Sequence, residues 1–336
     1  MNSTRLRTLL RRIRGKHVLV IGDFFLDKYL AIDPALKETS LETGKPTHQV
    51  VAVRTSPGGA GTVTSNLAAL NVRTFALGIR GDDGEGWELA GNLQATGVNI
   101  DGLLSIKGHT TGTYIKPMLQ SPLGEQEAER LDIRRRHPLH PGTLQVVIKT
   151  LHNMIGRMDA IIAVDAVPEN FGVIGKKVRR EIARLGRTFL IVADSRCRTE
   201  LFRNAIIKPN LLEAAAAAGR RKPKRLSQRW IESTAQVLSS KTGRPVFITA
   251  EAEGIFVFDG RCLTQAPALP TRGLIDIVGA GDCVAAAIGA SLCAGATLAE
   301  AAEIANLAAS VVIHKLGTTG TATPAEILKV YSLVGG

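Results

Sequence analysis

The sequence predicts an α/β fold: a doubly wound, mostly parallel sheet flanked by helices, with a small β-sheet lid inserted into it. Three observations carry that expectation. Short apolar runs alternate along the chain with longer stretches of helical periodicity. Two segments, 31–55 and 108–133, break the alternation with short β-like pieces and turns, as an inserted lid would. Glycine-rich or acidic turns also stand directly beside several apolar runs, where open α/β sheets bind ligands. The whole length, 1–336, reads as one such unit.

Taken in order, residues 1–16 interleave Arg5, Arg7, Arg11, Arg12 and Arg14 with Leu6, Leu9, Leu10 and Ile13. That spacing predicts an amphipathic helix, and no continuous apolar region of a signal peptide precedes the first strand. Residues 17–21 (His-Val-Leu-Val-Ile) form an unbroken apolar run and read as a strand buried on both faces. Further strands are expected at 74–77, 160–164, 188–193, 246–249 and 254–258. Helices are expected at 62–70, 85–96, 141–155, 171–185 and 298–314, with 214–218 a plain alanine helix segment.

Composition narrows the class. With 336 residues and 45% hydrophobic content the chain can bury a large core, yet it has no stretch apolar enough to span a membrane. Cys197, Cys262, Cys283 and Cys293 show no Cys-x-x-Cys spacing, which suits reduced thiols in the cytoplasm. The net charge of +12 raises the question of nucleic acid, but basic residues cluster at 5–16, 134–136, 176–187 and 220–225 with few aromatics to stack on bases. Such a surface reads as the solvated exterior of an enzyme whose substrates are anionic. Neither a Walker phosphate loop nor a Gly-x-Gly-x-x-Gly fingerprint is present.

The chemistry is concentrated in three blocks. Asp276-Ile277-Val278-Gly279-Ala280-Gly281-Asp282 precedes a long apolar stretch from Cys283 to Leu292. Small residues let backbone N–H groups crowd an anion, and a helix start adds unpaired donors. Asp282 would then be a proton acceptor beside a phosphoryl-sized hole. The same run is also compatible with a plain tight turn carrying a first-turn acid. Gly22-Asp23-Phe24-Phe25-Leu26-Asp27 follows the first strand and offers two carboxylates suited to sugar hydroxyls. Ser56-Pro57-Gly58-Gly59-Ala60-Gly61 feeds a helix that carries Asn66.

In this order the blocks resemble the ribokinase-like carbohydrate kinases, the PfkB family, over roughly residues 16–328. Lys208-Pro209-Asn210-Leu211-Leu212-Glu213 looks like the family's Asn-x-x-Glu element, and 249–254 looks like its nucleotide loop. Asn306 with its neighbours, and Lys315-Leu316-Gly317-Thr318, resemble the helix and loop beside the adenine. Within the family the chain is most similar to the bacterial D-glycero-D-manno-heptose 7-phosphate kinase branch. Leu26-Asp27-Lys28-Tyr29 and Arg130-Leu131-Asp132 carry that likeness.

The resemblance implies an ATP-dependent sugar kinase. Asp282 would be the base, and Gly279, Ala280 and Gly281 would hold the moving phosphoryl oxygens. Asp23, Asp27, Gly58, Gly59 and Asn66 would grip the sugar, with Asp165 and Arg196 adding contacts. Asn210, Thr249, Gly254, Asn306 and Gly317 would bind the nucleotide, and Glu213 would act on magnesium through its water shell. It further implies potassium near Asp276 and Lys315, and a homodimer formed through the lid. Departures bear on the substrate. Ile277 and Val278 stand where most relatives have threonine at one or both positions, Tyr114 stands where the branch has a basic residue beside Lys116, residues 42–46 alter the lid, and Glu251 replaces a small residue. Three readings stay open: a kinase of a phosphorylated sugar, a kinase of a free sugar or nucleoside, and a non-catalytic sensor on the same fold. One kinase-sized unit is expected, without a fused nucleotidyltransferase.

Overall fold

The computed structural model describes residues 1–122, 124–271, 273–317 and 319–334. Its main sheet has nine strands, in the order Leu263–Ala266, Ile255–Phe258, Val246–Thr249, Ile206–Ile207, Leu190–Ser195, Ala160–Asp165, His17–Gly22, Arg73–Gly81 and Asn99–Ile106. The pairings from Val246–Thr249 to Asn99–Ile106 are parallel; the two strands at the other edge are antiparallel. The first strand shows why its run is apolar throughout. Val18 and Val20 pack into one core, while Leu19 and Ile21 pack into the core on the opposite face. Helices Ser3–Ile13, Ala60–Ala69, Ala280–Cys293 and Leu298–Val312 cover the first face, and Pro141–Ile155, Lys176–Leu185, Leu211–Ala217 and Gln228–Thr242 the second.

A second sheet, ordered Leu131–Ile133, Thr113–Ser121, Phe24–Ile32, Val50–Gly59, stands beside the first, with Gly124–Glu127 paired to Thr113–Ser121. It is mixed: Phe24–Ile32 runs parallel to Thr113–Ser121 and antiparallel to Val50–Gly59. It begins at Phe24, earlier than the boundary at residue 31 read from the sequence, and runs on to Gly59 rather than 55. The chain leaves the main sheet at Asp23, whose N–H still reaches the Val164 carbonyl at 3.2 Å. The apolar residues that follow, Phe24 to Leu26, belong to the small sheet and the space beneath it.

The exit is tight. A Cβ at Gly22 would lie 2.2 Å from the Val164 carbonyl oxygen, so only glycine fits. The helix expected over 171–185 starts later, at Lys176. The cause is Asp23, which accepts the Val173 N–H at 2.7 Å and holds the segment out of helical geometry.

Candidate active site

A cavity of about 980 Å³ opens at the carboxyl ends of the central strands. It brings together Gly59, Asp165, Asn210, Glu213, Thr249, Gly254, Gly279, Ala280, Gly281, Asp282 and Asn306, all singled out from the sequence. Asp23, Asp27, Gly58, Asn66 and Gly317 do not line it, whereas Asp194, Arg196 and Lys208 do.

The Gly279-Ala280-Gly281 run is a helix start, the feature expected of an anion hole. The helix Ala280–Cys293 opens after Gly279, which has φ 79° and no capping side chain, so Asp282 lies in the first turn rather than at its head. The first N–H groups of such a helix lack internal partners, and the helix dipole adds positive potential there. Gly279 is fixed by conformation and by space. A Cβ would meet the Thr319 methyl at 2.6 Å. Gly279→Ala is therefore expected to cost about 1–2 kcal/mol for its left-handed backbone, and to lower turnover as the hole deforms. Thermal denaturation together with initial rates checks both.

Around Asp282 the charges are arranged in layers. Burial, then the nearby Asp194 carboxylate, push its carboxyl up to about 7, against the pull of Lys208 and Arg196. Lys208 is 4% exposed, and its Nζ lies 3.3 Å from an Asp194 oxygen. Burial disfavours that ammonium, but Asp194, Glu213 and Asp282 outweigh it and raise its pKa. It therefore stays a cation, beside the position a Cβ of Gly281 would take, 3.6 Å away. A fixed positive charge under the anion hole suits phosphoryl oxygens. Sequence reasoning quoted Lys208 inside a motif without giving it a role and passed over Asp194. The signal was present, because Asp194, like Asp165, closes an apolar parallel strand.

On the small sheet, Asp27 is 8% exposed and sits 3.5 Å from Lys116 Nζ. Burial outweighs that lysine and raises the Asp27 pKa. Lys116 also donates to the Tyr29 hydroxyl at 3.1 Å and lies 4.6 Å above the Tyr29 ring. The Tyr29 hydroxyl in turn lies 3.4 Å from Thr319 Oγ1, beside the anion hole. Gly58 leaves room for Asp27, since a Cβ there would be 3.0 Å from its carboxylate. Gly59 caps the next helix and faces the cavity.

Three expected sugar contacts are placed differently. Asp23 is committed to the backbone: it accepts the N–H groups of Ala166, Val167 and Val173 at 3.2, 3.3 and 2.7 Å. Burial pushes its carboxyl up to about 6. Asn66 is 1% exposed and donates to the Thr62 carbonyl one turn earlier. It is Thr62 that approaches the hole, with its methyl 3.4 Å from where a Gly279 Cβ would stand. Asp165 lines the cavity but is held by Arg198 Nη2 at 2.6 Å, Arg198 Nε at 3.0 Å and the Ser195 hydroxyl at 2.7 Å. It is a salt-bridged strand end.

Across the cavity, Asn210 and Glu213 form a complete capping box on Leu211–Ala217. Asn210 Oδ1 accepts the Leu212 and Glu213 N–H groups, and Glu213 Oε2 accepts that of Asn210, so the motif is a helix cap first. Glu213 still lines the cavity, and its pKa is raised chiefly by burial. Thr249 bridges Asn210, its N–H bonding to the Pro209 carbonyl. Gly254 has φ 86° and passes so close to Ala266 that no side chain fits. Asn306 donates to the Ala266 and Pro267 carbonyls, fixing the cavity wall. Gly317 is exposed and away from the lining, and Thr318 lies outside the described residues.

Residues 16–126 and 194–326 match the pfkB family carbohydrate kinases. The chain belongs to the PfkB family. As a carbohydrate kinase it transfers a phosphoryl group to a sugar hydroxyl. Bifunctional protein HldE of Desulfatibacillum aliphaticivorans is 31% identical over 92% of this chain and 62% of its own length. The protein of the same name from Halorhodospira halophila is 32% identical over 94% of this chain and 63% of its own length. The kinase thus spans less than two thirds of these relatives. Arabidopsis thaliana ribokinase complexed with ribose and ATP superposes with TM-score 0.70 at 18% identity, covering 94% of this chain and 98% of the other. Phosphofructokinase-2 from Escherichia coli, in complex with substrates and products, gives 0.71 at 16% identity, covering 96% and 100%. The kinase has the ribokinase-like fold. Among the described residues no helix is long and apolar enough to cross a membrane.

Proposed function

We propose that this kinase transfers the γ-phosphoryl group of ATP to a hydroxyl of a phosphorylated sugar, with D-glycero-D-manno-heptose 7-phosphate the first candidate. The observation that carries the reading is the Asp282 carboxyl in the first turn of an uncapped helix start, with the Lys208 ammonium beneath it. The likeness to HldE proteins and the Leu26-Asp27-Lys28-Tyr29 run support the heptose phosphate.

In this reading Asp282 takes the proton of the attacking hydroxyl. The N–H groups at Gly279 and Gly281, together with Lys208, stabilise the negative charge of the transferring group, while that of Ala280 donates to the Ile277 carbonyl at 3.1 Å. Asp27 accepts hydrogen bonds from the sugar on the small sheet, and Gly59 leaves the sugar room. Thr249, Gly254, Asn306 and the apolar wall at Ile275 and Ile313 form the nucleotide side. Asp194 and Glu213 supply hard oxygens that suit magnesium carried on nucleotide phosphates, where the ion neutralises phosphate charge. Asp276 accepts the Val278 N–H and Lys315 bridges Glu326 and the Thr321 carbonyl, so a potassium ion near them would be held by loop carbonyls rather than by these side chains. Potassium therefore enters the assay as a variable.

The edge strand Val50–Gly59 exposes Val50, Val51 and Val53, which supports pairing with a second copy through the small sheet. A kinase drawing on ATP and a soluble sugar works in the cytoplasm.

An ADP-release assay with ATP, magnesium and potassium tests the reading against heptose 7-phosphate, other sugar phosphates, free sugars and nucleosides. Turnover confined to free sugars or nucleosides would move the kinase to another substrate class, and silence across the panel would favour a sensor. The pH profile is a further expected result. The base must be ionised, so kcat/KM should rise with pH through about 7 and then level, following Asp282. An acid limb near 4 would remove Asp282 from that role.

A further inference from the structure

Left-handed backbone is uncommon outside glycine, and a side chain that disfavours it is kept there only where the surrounding structure fixes it. Among the described residues three that are not glycine adopt it: Asn71, Asn204 and Glu251, with φ 63°, 55° and 51°. Asparagine takes up this conformation readily because its short amide bonds to the local backbone, whereas glutamate does not. Glu251 also departs from the small residue usual in the loop from Thr249 to Gly254. That loop closes on itself: the Ala250 N–H donates to the Gly254 carbonyl at 2.8 Å, and the Gly254 N–H to the Glu251 carbonyl at 3.1 Å. The strained residue is thus a fixed part of a tight turn, and it lines the main cavity.

Two anchors fix which part of a nucleotide Glu251 faces. On one side Thr249 bridges Asn210 and donates to the Pro209 carbonyl, at the end of the cavity that holds Glu213 and Lys208. That is the phosphate end. On the other side Gly254 packs against the segment 266–268, where a Cβ would lie 2.2 Å from the Ala266 carbonyl oxygen and 2.4 Å from the Ala268 nitrogen. Ala268, Leu269, Pro270 and Ile313 belong to the apolar wall there, which suits a flat base. Glu251 stands between the two anchors, where a nucleotide carries its ribose. Its carboxylate is weakly engaged, since its ion pair with Lys222 spans 3.8 Å and its side chain is 86% exposed. Water screens such a pair.

We propose that Glu251 is a specificity-determining residue of the nucleotide site, its carboxylate accepting hydrogen bonds from the 2′- and 3′-hydroxyls of the phosphoryl donor's ribose. The inference rests on the reading of this cavity as the ATP site. A carboxylate has two oxygens that accept and none that donates, so it pairs with a vicinal diol through two charge-assisted hydrogen bonds. It would repel phosphate oxygens and gains nothing from an apolar wall, which leaves the ribose as the part of a nucleotide it suits. Glycine would fit the turn without strain but would offer no acceptor. An unfavourable backbone held in a binding loop is the pattern expected where the side chain serves a ligand.

The test is titration calorimetry with magnesium and no acceptor, so that it does not depend on which sugar is phosphorylated. ADP, 2′-deoxy-ADP, 3′-deoxy-ADP and GDP are compared on wild type, Glu251→Gln and Glu251→Gly. Wild type should bind ADP about 10–100-fold more tightly than either deoxy form, the range for a hydrogen bond to a charged group. Glu251→Gly should bring that ratio close to one, and Glu251→Gln should keep a fraction of it through its amide oxygen. Glu251→Gly should also unfold at a temperature no lower than wild type, because glycine adopts φ 51° freely. Lost discrimination then cannot come from a damaged loop; should that variant unfold earlier, Glu251→Gln carries the comparison. A wild-type ratio near one, or a ratio that folded variants leave unchanged, would overturn the assignment. So would variants that alter the preference between ADP and GDP while the deoxy ratio holds, since the carboxylate would then read the base. A wild type that binds no ADP would instead remove the reading of the cavity as the nucleotide site.

Discussion

Asp282→Asn is expected to lower kcat by about 10²–10⁴-fold, the range for loss of a positioned general base, while nucleotide binding is kept. The same change should make the protein more stable above pH 7, and that second effect distinguishes a strained base from a structural acid. In the folded kinase Asp282 holds its proton up to about 7, against an ordinary value of 3.8. The folded state therefore binds more protons than the unfolded chain between those values. Wild-type stability must fall as pH rises through that window. Asparagine carries no charge to bury, so the variant should match wild type near pH 4 or below and exceed it at pH 8. Thermal denaturation across pH 4–8, alongside single-turnover rates, measures both. A variant that loses activity and is less stable at pH 8 would show that the carboxylate serves structure.

The second large effect is expected at a residue that touches neither reacting group. Arg198→Met leaves the Asp165 carboxylate, 1% exposed, with the Ser195 hydroxyl as its side-chain hydrogen-bond partner among the described residues. Breaking a buried ion pair by removing one member typically costs about 3–5 kcal/mol. For a protein of ordinary stability that is a third or more of the total. Arg198 also donates to the carbonyls of Val167 and Pro168, so its loss frees the loop that follows the Ala160–Asp165 strand. Urea denaturation should show a lower midpoint, and the double variant Arg198→Met, Asp165→Leu should recover part of it. No recovery would place the contribution in the loop carbonyls instead.

These residues show what the sequence can and cannot reveal. The central strands were legible because a run such as His-Val-Leu-Val-Ile buries both faces, and no other element in a soluble fold does that over so short a length. The helix start after Gly279 was legible because two glycines stand directly before a long apolar stretch. The capping box was legible as a motif, although its first task proved to be helix capping.

Side-chain commitments were not legible. Asp23, Asp27 and Asp165 are the same residue type, yet backbone N–H groups claim the first, Lys116 the second and Arg198 the third. The partners come from segments remote in sequence, so local pattern cannot assign them. Asn66 was misplaced by one helical turn. The stretch after Gly59 begins its helix at Ala60, and Thr62, not Asn66, is the residue whose methyl would meet a Cβ at Gly279.

The contact between Tyr29 and Thr319 has a thermodynamic meaning. It is a single hydroxyl pair joining the sheet that carries Asp27 to the segment packed on Gly279, and it therefore belongs to both halves of the reaction. On the proposed assignment of sugar to the small sheet, a sugar that changes this contact would also act on the segment beside Gly279. By reciprocity, the factor by which sugar alters the affinity for ATP equals the factor by which ATP alters the affinity for sugar. Tyr29→Phe, which keeps the ring under Lys116 and removes only the hydroxyl, would shift both factors by the same amount.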